Sequence, residues 1–147
     1  MNREFMRKAL ALAREAMADG EVPVGCVIEK DGIILGSGRN RREKDRTALG
    51  HAELDAIAQA CRALGTWRLS DCTLYVTLEP CPMCAGAICN ARIPRVVFGA
   101  YDAKAGACGS VDHLLSGKFL HAAEVYGGIM EAECTDLLQS FFRSRRG

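Results

Sequence analysis

Apolar residues recur along the chain at two periods, and the switches between them divide it into elements. Over residues 3–18, Phe5, Met6, Ala9, Leu10, Ala13, Ala16 and Met17 fall at helical spacing, with Arg3, Arg7, Arg14 and Glu15 elsewhere on the wheel. Asp19-Gly20 stops this helix, which reads as the cover of one sheet face. Residues 22–28 and 33–36 are rich in strand formers and flank Lys30-Asp31-Gly32, so they predict an antiparallel hairpin whose glycine supplies a positive φ. Between residues 37 and 50 the pattern becomes irregular and polar. Helical spacing returns over residues 51–64, with Leu54, Ile57, Cys61 and Leu64 on the expected core face and Gly65 as the stop.

Residues 72–78 then read as a strand, residues 83–91 as a helix whose first turn accepts Pro82, and residues 95–99 as a buried strand. Helical and extended runs that alternate in this way predict parallel strands joined by crossover helices; with the hairpin, the sheet is mixed and the fold class α/β. A glycine- and alanine-rich loop over 101–109, a short helix over 111–115, a short strand over 124–126 and a closing helix over 132–146 complete the expectation. With 147 residues there is room for one core, so residues 1–147 read as a single domain.

Composition narrows the class. A hydrophobic share of 49% and a charged share of 25% suit a soluble globular protein, and no stretch approaches the ~20 apolar residues of a membrane span. The start, Met1-Asn2-Arg3-Glu4, carries an acid and no continuous apolar run, so a cytoplasmic location is expected and the eight cysteines read as thiols. A net charge of +1 decides nothing about nucleic acid, because a binding surface can be basic locally. Two local runs are basic: Arg39, Arg41, Arg42, Lys44 and Arg46 around Asn40, and Arg143, Arg145 and Arg146 beside Phe141 and Phe142.

Candidate chemistry sits at two helix starts. Zinc favours imidazole and thiolate in tetrahedral geometry, and catalytic sites take three protein ligands and leave the fourth position open. His51, Cys81 and Cys84 supply that number, and the Cys-x-x-Cys spacing at a helix N-terminus turns both sulfurs toward one point, where the helix dipole favours thiolate. The same spacing serves redox pairs and structural zinc knuckles. No second Cys-x-x-Cys is present; Cys26, Cys61, Cys72, Cys89, Cys108 and Cys134 read as plain buried thiols, and His113 and His121 as surface or loop residues. Glu53 follows His51 by two residues, roughly 200° around a regular helix, which would turn it away from the metal. An irregular first turn would let both converge; the simpler use of Glu53 is that of an acid beside the helix dipole.

His51-Ala52-Glu53 followed by Pro80-Cys81-Pro82-Met83-Cys84 resembles the zinc-dependent cytidine and adenosine deaminase superfamily, whose signature is His-x-Glu and Pro-Cys-x-x-Cys. The resemblance is closer to the bacterial tRNA adenosine deaminase branch and covers nearly the whole chain. It includes Glu21-Val22-Pro23-Val24-Gly25, Arg39-Asn40-Arg41, Tyr75-Val76-Thr77-Leu78-Glu79 before the cysteines, Arg95-Val96-Val97-Phe98-Gly99-Ala100, Asp102-Ala103-Lys104 and Phe141-Phe142-Arg143. The chain departs from the family at Thr47-Ala48-Leu49-Gly50, where a Thr-Ala pair commonly precedes the histidine directly, and at Asp45-Arg46, near the place of a frequent Asp-Pro.

The resemblance implies a cytidine deaminase-like three-layer α/β/α fold with a mixed five-stranded sheet. It implies one Zn²⁺ per subunit held by His51, Cys81 and Cys84, with Glu53 as the proton carrier, and a homodimer. The implied reaction is hydrolysis of adenosine to inosine at the wobble position of a tRNA anticodon loop. Asn40 would contact the flipped base, Val22 would pack against it, and Asp102 would meet the flanking ribose or backbone. Phe142 would offer a stacking surface, and the basic runs, Arg143 included, would meet phosphates. A deaminase of a free base or nucleoside, of guanine or cytosine type, would use the same chemistry, and a non-catalytic zinc module would dispense with Glu53.

Overall fold

The computed structural model describes residues 2–146, and the Arg146 side chain of the second basic run lies outside the described residues. Helix α1 (Arg3–Ala18) buries Phe5, Met6, Ala9, Leu10, Ala13 and Ala16, the stripe expected from its spacing, and the Asn2 side chain caps its start on the Glu4 amide. Strands β1 (Gly25–Lys30) and β2 (Ile33–Arg39) form the hairpin, with Asp31 and Gly32 both at positive φ, 52° and 82°. β1 starts at Gly25 instead of Val22, because Pro23 has no N–H to give and the Val24 N–H turns back to the Val22 carbonyl at 2.9 Å. β2 runs past the expected end at Gly36 to Arg39, since Ser37, Gly38 and Arg39 keep their register with Val27, Cys26 and Gly25.

Helix α2 (Ala52–Leu64), strand β3 (Thr73–Leu78), helix α3 (Pro82–Ala91), strand β4 (Arg95–Ala100), strand β5 (Glu124–Tyr126) and helix α4 (Glu131–Arg146) follow. The five strands lie in the order β2-β1-β3-β4-β5; β1 is antiparallel to β2 and β3, while β3, β4 and β5 are parallel. The sheet is therefore the mixed five-stranded sheet expected. Alternate strand residues face opposite layers: Ile28, Leu74, Val76, Val96 and Phe98 pack toward α2 and α3, whereas Val27, Tyr75 and Val97 pack toward α1 and α4. Three layers result, α/β/α.

Two expectations are corrected. Residues 111–115 form turns instead of a helix: the Val111 N–H bonds the Gly106 carbonyl, the Leu114 N–H bonds the Ala107 carbonyl, and Cys108 and His113 make an isolated bridge. In α2 the deepest face is Ala52, Glu53, Ala56 and Ala60, with Ile57, Cys61 and Leu64 half-buried along its shoulder. Alanine wins that face because β2 lies directly under the helix backbone. A Cβ on Gly36 would collide with the Ala56 carbonyl, and one on Gly38 with that of Ala52.

A test of this close approach is Gly36→Ala. The obstruction is helix backbone, which cannot swing aside like a side chain, so we expect a loss of about 3 kcal/mol, at the upper end of ordinary overpacking. Thermal unfolding should fall by roughly 10 °C. An unchanged midpoint would mean that α2 does not sit this low on β2.

Candidate active site

The starts of α2 and α3 meet at one end of the sheet. His51 is the N-cap of α2, with extended backbone (φ −94°, ψ 143°), and its side chain makes no capping bond. Asn40 caps in its place, accepting the Ala52 N–H on Oδ1 at 3.0 Å, so the imidazole is free to turn toward α3. Cys81 is the N-cap of α3, also extended (φ −76°, ψ 175°), followed by Pro82 in the first turn. His51 Nδ1 lies 3.6 Å from Cys81 Sγ and 3.5 Å from Cys84 Sγ, and the three donor atoms lie within 4.8 Å of one another.

These distances suit a shared metal. Around a tetrahedral zinc with Zn–S of about 2.3 Å and Zn–N of about 2.0–2.1 Å, neighbouring nitrogen and sulfur donors stand about 3.5–3.6 Å apart. The donor set is one imidazole and two thiols, which zinc prefers, and three is the number of protein ligands that catalytic zinc sites take.

Glu53 occupies the second helical position of α2, next to His51 in the same cleft. The convergence that a regular helix would forbid is possible because His51 leaves an extended backbone while Glu53 leaves a helical one. Its side chain is 4% exposed. Burial pushes the carboxyl up to about 7, against the opposing pull of the helix-start amide and His51.

The neighbouring protein groups share protons. Cys84 donates to Cys81, which holds the Cys81 thiol down at about 3 against its burial; Cys84 itself is driven upward, first by that bond and then by burial. The bond to Cys81 also raises His51. Among the other thiols, burial pushes Cys108 and Cys134 up to about 12 and Cys26 well above its ordinary value, so these remain inert core residues. Cys61 is half-buried, while Cys72 and Cys89 are buried. His113 is exposed, and His121 bonds the Ile93 carbonyl through Nε2 at 2.7 Å; both lie away from the cysteine pair.

The cleft above the three donors has a volume of about 850 Å³. Its lining includes Val22, Asn40, His51, Glu53, Cys81, Asp102 and Phe142, so most of the residues named from the sequence converge on it. Arg143 is placed elsewhere. It borders an adjoining depression of about 530 Å³ with Lys104, Gln139 and Phe142, and Phe142 belongs to both.

The first basic run is mostly neutralised. Arg41 grips both oxygens of Asp55 at 2.7 and 2.9 Å and also reaches Asp45 at 2.8 Å. Arg39 pairs with Glu15 and Asp19, and Lys44 with Asp19. Of this run Arg42 faces the cleft, and it makes no ion pair among the described residues. In the second run Arg145 also lines the cleft, where its guanidinium donates to the Gly20 carbonyl and lies 4.7 Å over the Phe141 ring.

Two buried carboxylates in the wall carry more structure than their place in the sequence suggests. Glu21, 3% exposed, accepts the amides of Glu43 at 3.2 Å and Lys44 at 2.7 Å, fixing the loop after Asn40. Glu79, 2% exposed, accepts the amides of Asp102, Cys108 and Ser110 and the Ser110 hydroxyl. Burial alone would raise the Glu79 carboxyl, but the Ser110 hydroxyl and these amides hold it below its ordinary value. Their signal in the sequence is their place in the motifs Glu21-Val22-Pro23-Val24-Gly25 and Tyr75-Val76-Thr77-Leu78-Glu79, which says nothing of these partners.

Comparison with known proteins agrees with this geometry. The MafB19-like deaminase family matches residues 1–146. A tRNA-specific adenosine deaminase of Bacillus subtilis (strain 168) is 48% identical over 97% of this chain and 89% of its own length. A solved structure from work on A-to-I editing by tRNA:A34 deaminases at the wobble position of transfer RNA superposes with a TM-score of 0.88. It is 43% identical over 93% of this chain and 100% of that chain. A guanine deaminase from Bacillus subtilis is 44% identical but overlaps less, 69% of this chain and 66% of that one, with a TM-score of 0.64. The paired helix starts, the buried carboxylate beside them and near full-length similarity lead to one assignment: the chain belongs to the MafB19-like deaminases and, among them, to the tRNA-specific adenosine deaminase family.

Proposed function

We propose that residues 1–147 form one zinc-dependent deaminase domain that hydrolyses adenosine to inosine at the wobble position of a tRNA anticodon loop. The observation that carries this reading is Glu53, a buried carboxylate outside the metal donor set yet in the same cleft. A structural zinc site would have no use for it. When bound by His51, Cys81 and Cys84, zinc supplies Lewis-acid activation that brings the pKa of a water from 15.7 toward about 7.

Glu53 does the proton work. Its carboxylate takes a proton from the attacking water and delivers it to the ring nitrogen beside C6 as the new C–O bond forms. It then passes the second water proton to the exocyclic nitrogen; the C6–N bond breaks, ammonia leaves and inosine remains.

Binding requires the base to leave its stack, which costs less in a loop than in a duplex. Asn40 spends Oδ1 on the Ala52 amide and so presents its Nδ2 donor to the base. Val22 packs on the ring, Asp102 meets the flanking ribose or backbone, and Phe142 stacks a neighbouring base. Arg42 at the cleft and Arg143 with Lys104 in the adjoining depression meet phosphates. The continuity of the two depressions across Phe142 favours a polynucleotide over a free base. A homodimer through the outer face of α3, where Met83, Gly86 and Ala87 are half-buried, is part of the reading, and sedimentation measures it. Among the described residues no helix is long and apolar enough to cross a membrane, and a cytoplasmic location fits a tRNA substrate.

The deciding assay offers the zinc-loaded protein an anticodon stem-loop with adenosine at the wobble position and, separately, free adenosine, cytidine and guanine. Inosine should appear in the stem-loop. Turnover of a free compound with the stem-loop untouched would overturn the proposal in favour of a free-base deaminase.

A further inference from the structure

We propose that Glu79 is a positioning residue for substrate binding: it locks the Asp102 loop to the start of the metal-bearing helix α3. This rests on the deaminase reading above. Glu79 follows β3 and stands just before Pro80 and Cys81. Its carboxylate accepts the Asp102 amide at 3.1 Å, the Cys108 amide at 3.1 Å, the Ser110 amide at 3.0 Å and the Ser110 hydroxyl at 2.5 Å. All four donors come from residues 102–110, a segment outside the named helices and strands.

The backbone beside it reinforces the link. The Glu79 N–H donates to the Ala100 carbonyl at 2.9 Å, and the Pro80 carbonyl accepts the Ala107 N–H at 2.9 Å. Gly106 passes so close to the Glu79 carboxylate that a Cβ there would collide with it. The loop is therefore wrapped around one buried anion.

A buried carboxylate is costly unless its lone pairs are satisfied, and here they are satisfied only if the loop keeps one shape. That shape aims Asp102. Its Oδ1 accepts the amides of Lys104 and Ala105, at 3.0 and 3.1 Å, while the residue borders the cleft. Because Glu79 and Cys81 lie on one short stretch, the distance from the metal donors to the Asp102 wall is set through Glu79. Glu79 does not reach the reacting atoms itself; it acts through Asp102.

Glu79→Gln tests this, because the amide group turns a donor toward donors. Steady-state kinetics on the anticodon stem-loop should show KM raised about tenfold or more, with kcat within about threefold of wild type and zinc still stoichiometric. Asp102→Ala should raise KM too, and the double variant should fall well short of the product of the two effects, since both act through one loop. Glu79→Asp, which keeps the charge, should restore part of the loss. Ser110→Ala removes one donor with little risk to folding and should raise KM about twofold to fivefold. An unchanged KM in Ser110→Ala or in folded Glu79→Gln, or fully multiplicative effects with Asp102→Ala, would overturn the proposal. Amide exchange at Asp102, Cys108 and Ser110, slow in wild type and fast in Glu79→Gln, reads the clamp without activity. An inactive wild type would reject the deaminase reading, whereas equally fast exchange in wild type would reject the clamp.

Discussion

Cys84→Ala should strip zinc from the purified chain and abolish deamination. Cys84 is fully buried beneath the cleft, with its sulfur 3.5 Å from His51 Nδ1, and alanine offers no donor atom in its place. His51 and Cys81 would remain, one donor short of the three protein ligands that catalytic zinc sites use. Changing a residue that merely supports a ligand weakens metal binding about 10–100-fold, and deleting a ligand costs more. After dialysis the variant should retain less than about 0.1 zinc per chain, where wild type retains about one. Cys134→Ala is the control, because that thiol packs between α4 and β4 on the other side of the sheet and should leave zinc in place. Stoichiometric zinc in Cys84→Ala would show that the donor set is wrong.

The clustering of His51, Cys81 and Cys84 was legible because its signal is local. Two cysteines separated by one helical step and a histidine before a helical run announce themselves in a few residues, and the fold leaves both helix starts at one end of the sheet. The strands were legible for a similar reason: Val27, Tyr75 and Val97 face one layer and their neighbours the other, so period-two burial is written along each segment. The place of Glu53 in the same cleft as His51 was not legible from spacing. Whether it meets His51 depends on where the helix begins, and the non-helical backbone of His51 resolves it.

What stayed hidden depends on distant partners. The alanine face of α2 is chosen by Gly36 and Gly38 on strand β2, whereas hydrophobicity alone selects the bulkier Leu54–Ile57 side. Arg39 and Arg41 make a basic run in the sequence, but Glu15, Asp19 and Asp55, which pair with them, lie in other segments of the chain. Residues 111–115 have a helical pattern, but the amides of Val111 and Asp112 go back to the Gly106 carbonyl and that of Leu114 to the Ala107 carbonyl. Glu21 and Glu79 work chiefly through backbone donors, which any residue type supplies and which therefore leave no mark in the sequence.

Glu53→Gln should keep zinc and fold yet lose at least about 10³ in kcat, because general acid–base transfer by one side chain contributes about 10²–10⁴ and Glu53 serves more than one transfer. Loss of zinc would instead make Glu53 a ligand, and an active variant would return the proton to another group. Stability gives a second readout that does not involve turnover. In the metal-free chain the Glu53 carboxyl sits near 7, above its ordinary 4.5, because burial disfavours the charge. The folded chain therefore keeps a proton that the unfolded chain releases between those values. The stability this confers is full below pH 4.5 and is lost as pH rises through 7. Glutamine carries no such proton, so metal-free Glu53→Gln should exceed metal-free wild type by up to about 3 kcal/mol at pH 8, since each tenfold change in proton affinity is worth about 1.4 kcal/mol. The advantage should vanish toward pH 4.5. A residue that makes the metal-free protein more stable when neutralised, and inactive when replaced, is retained for its chemistry.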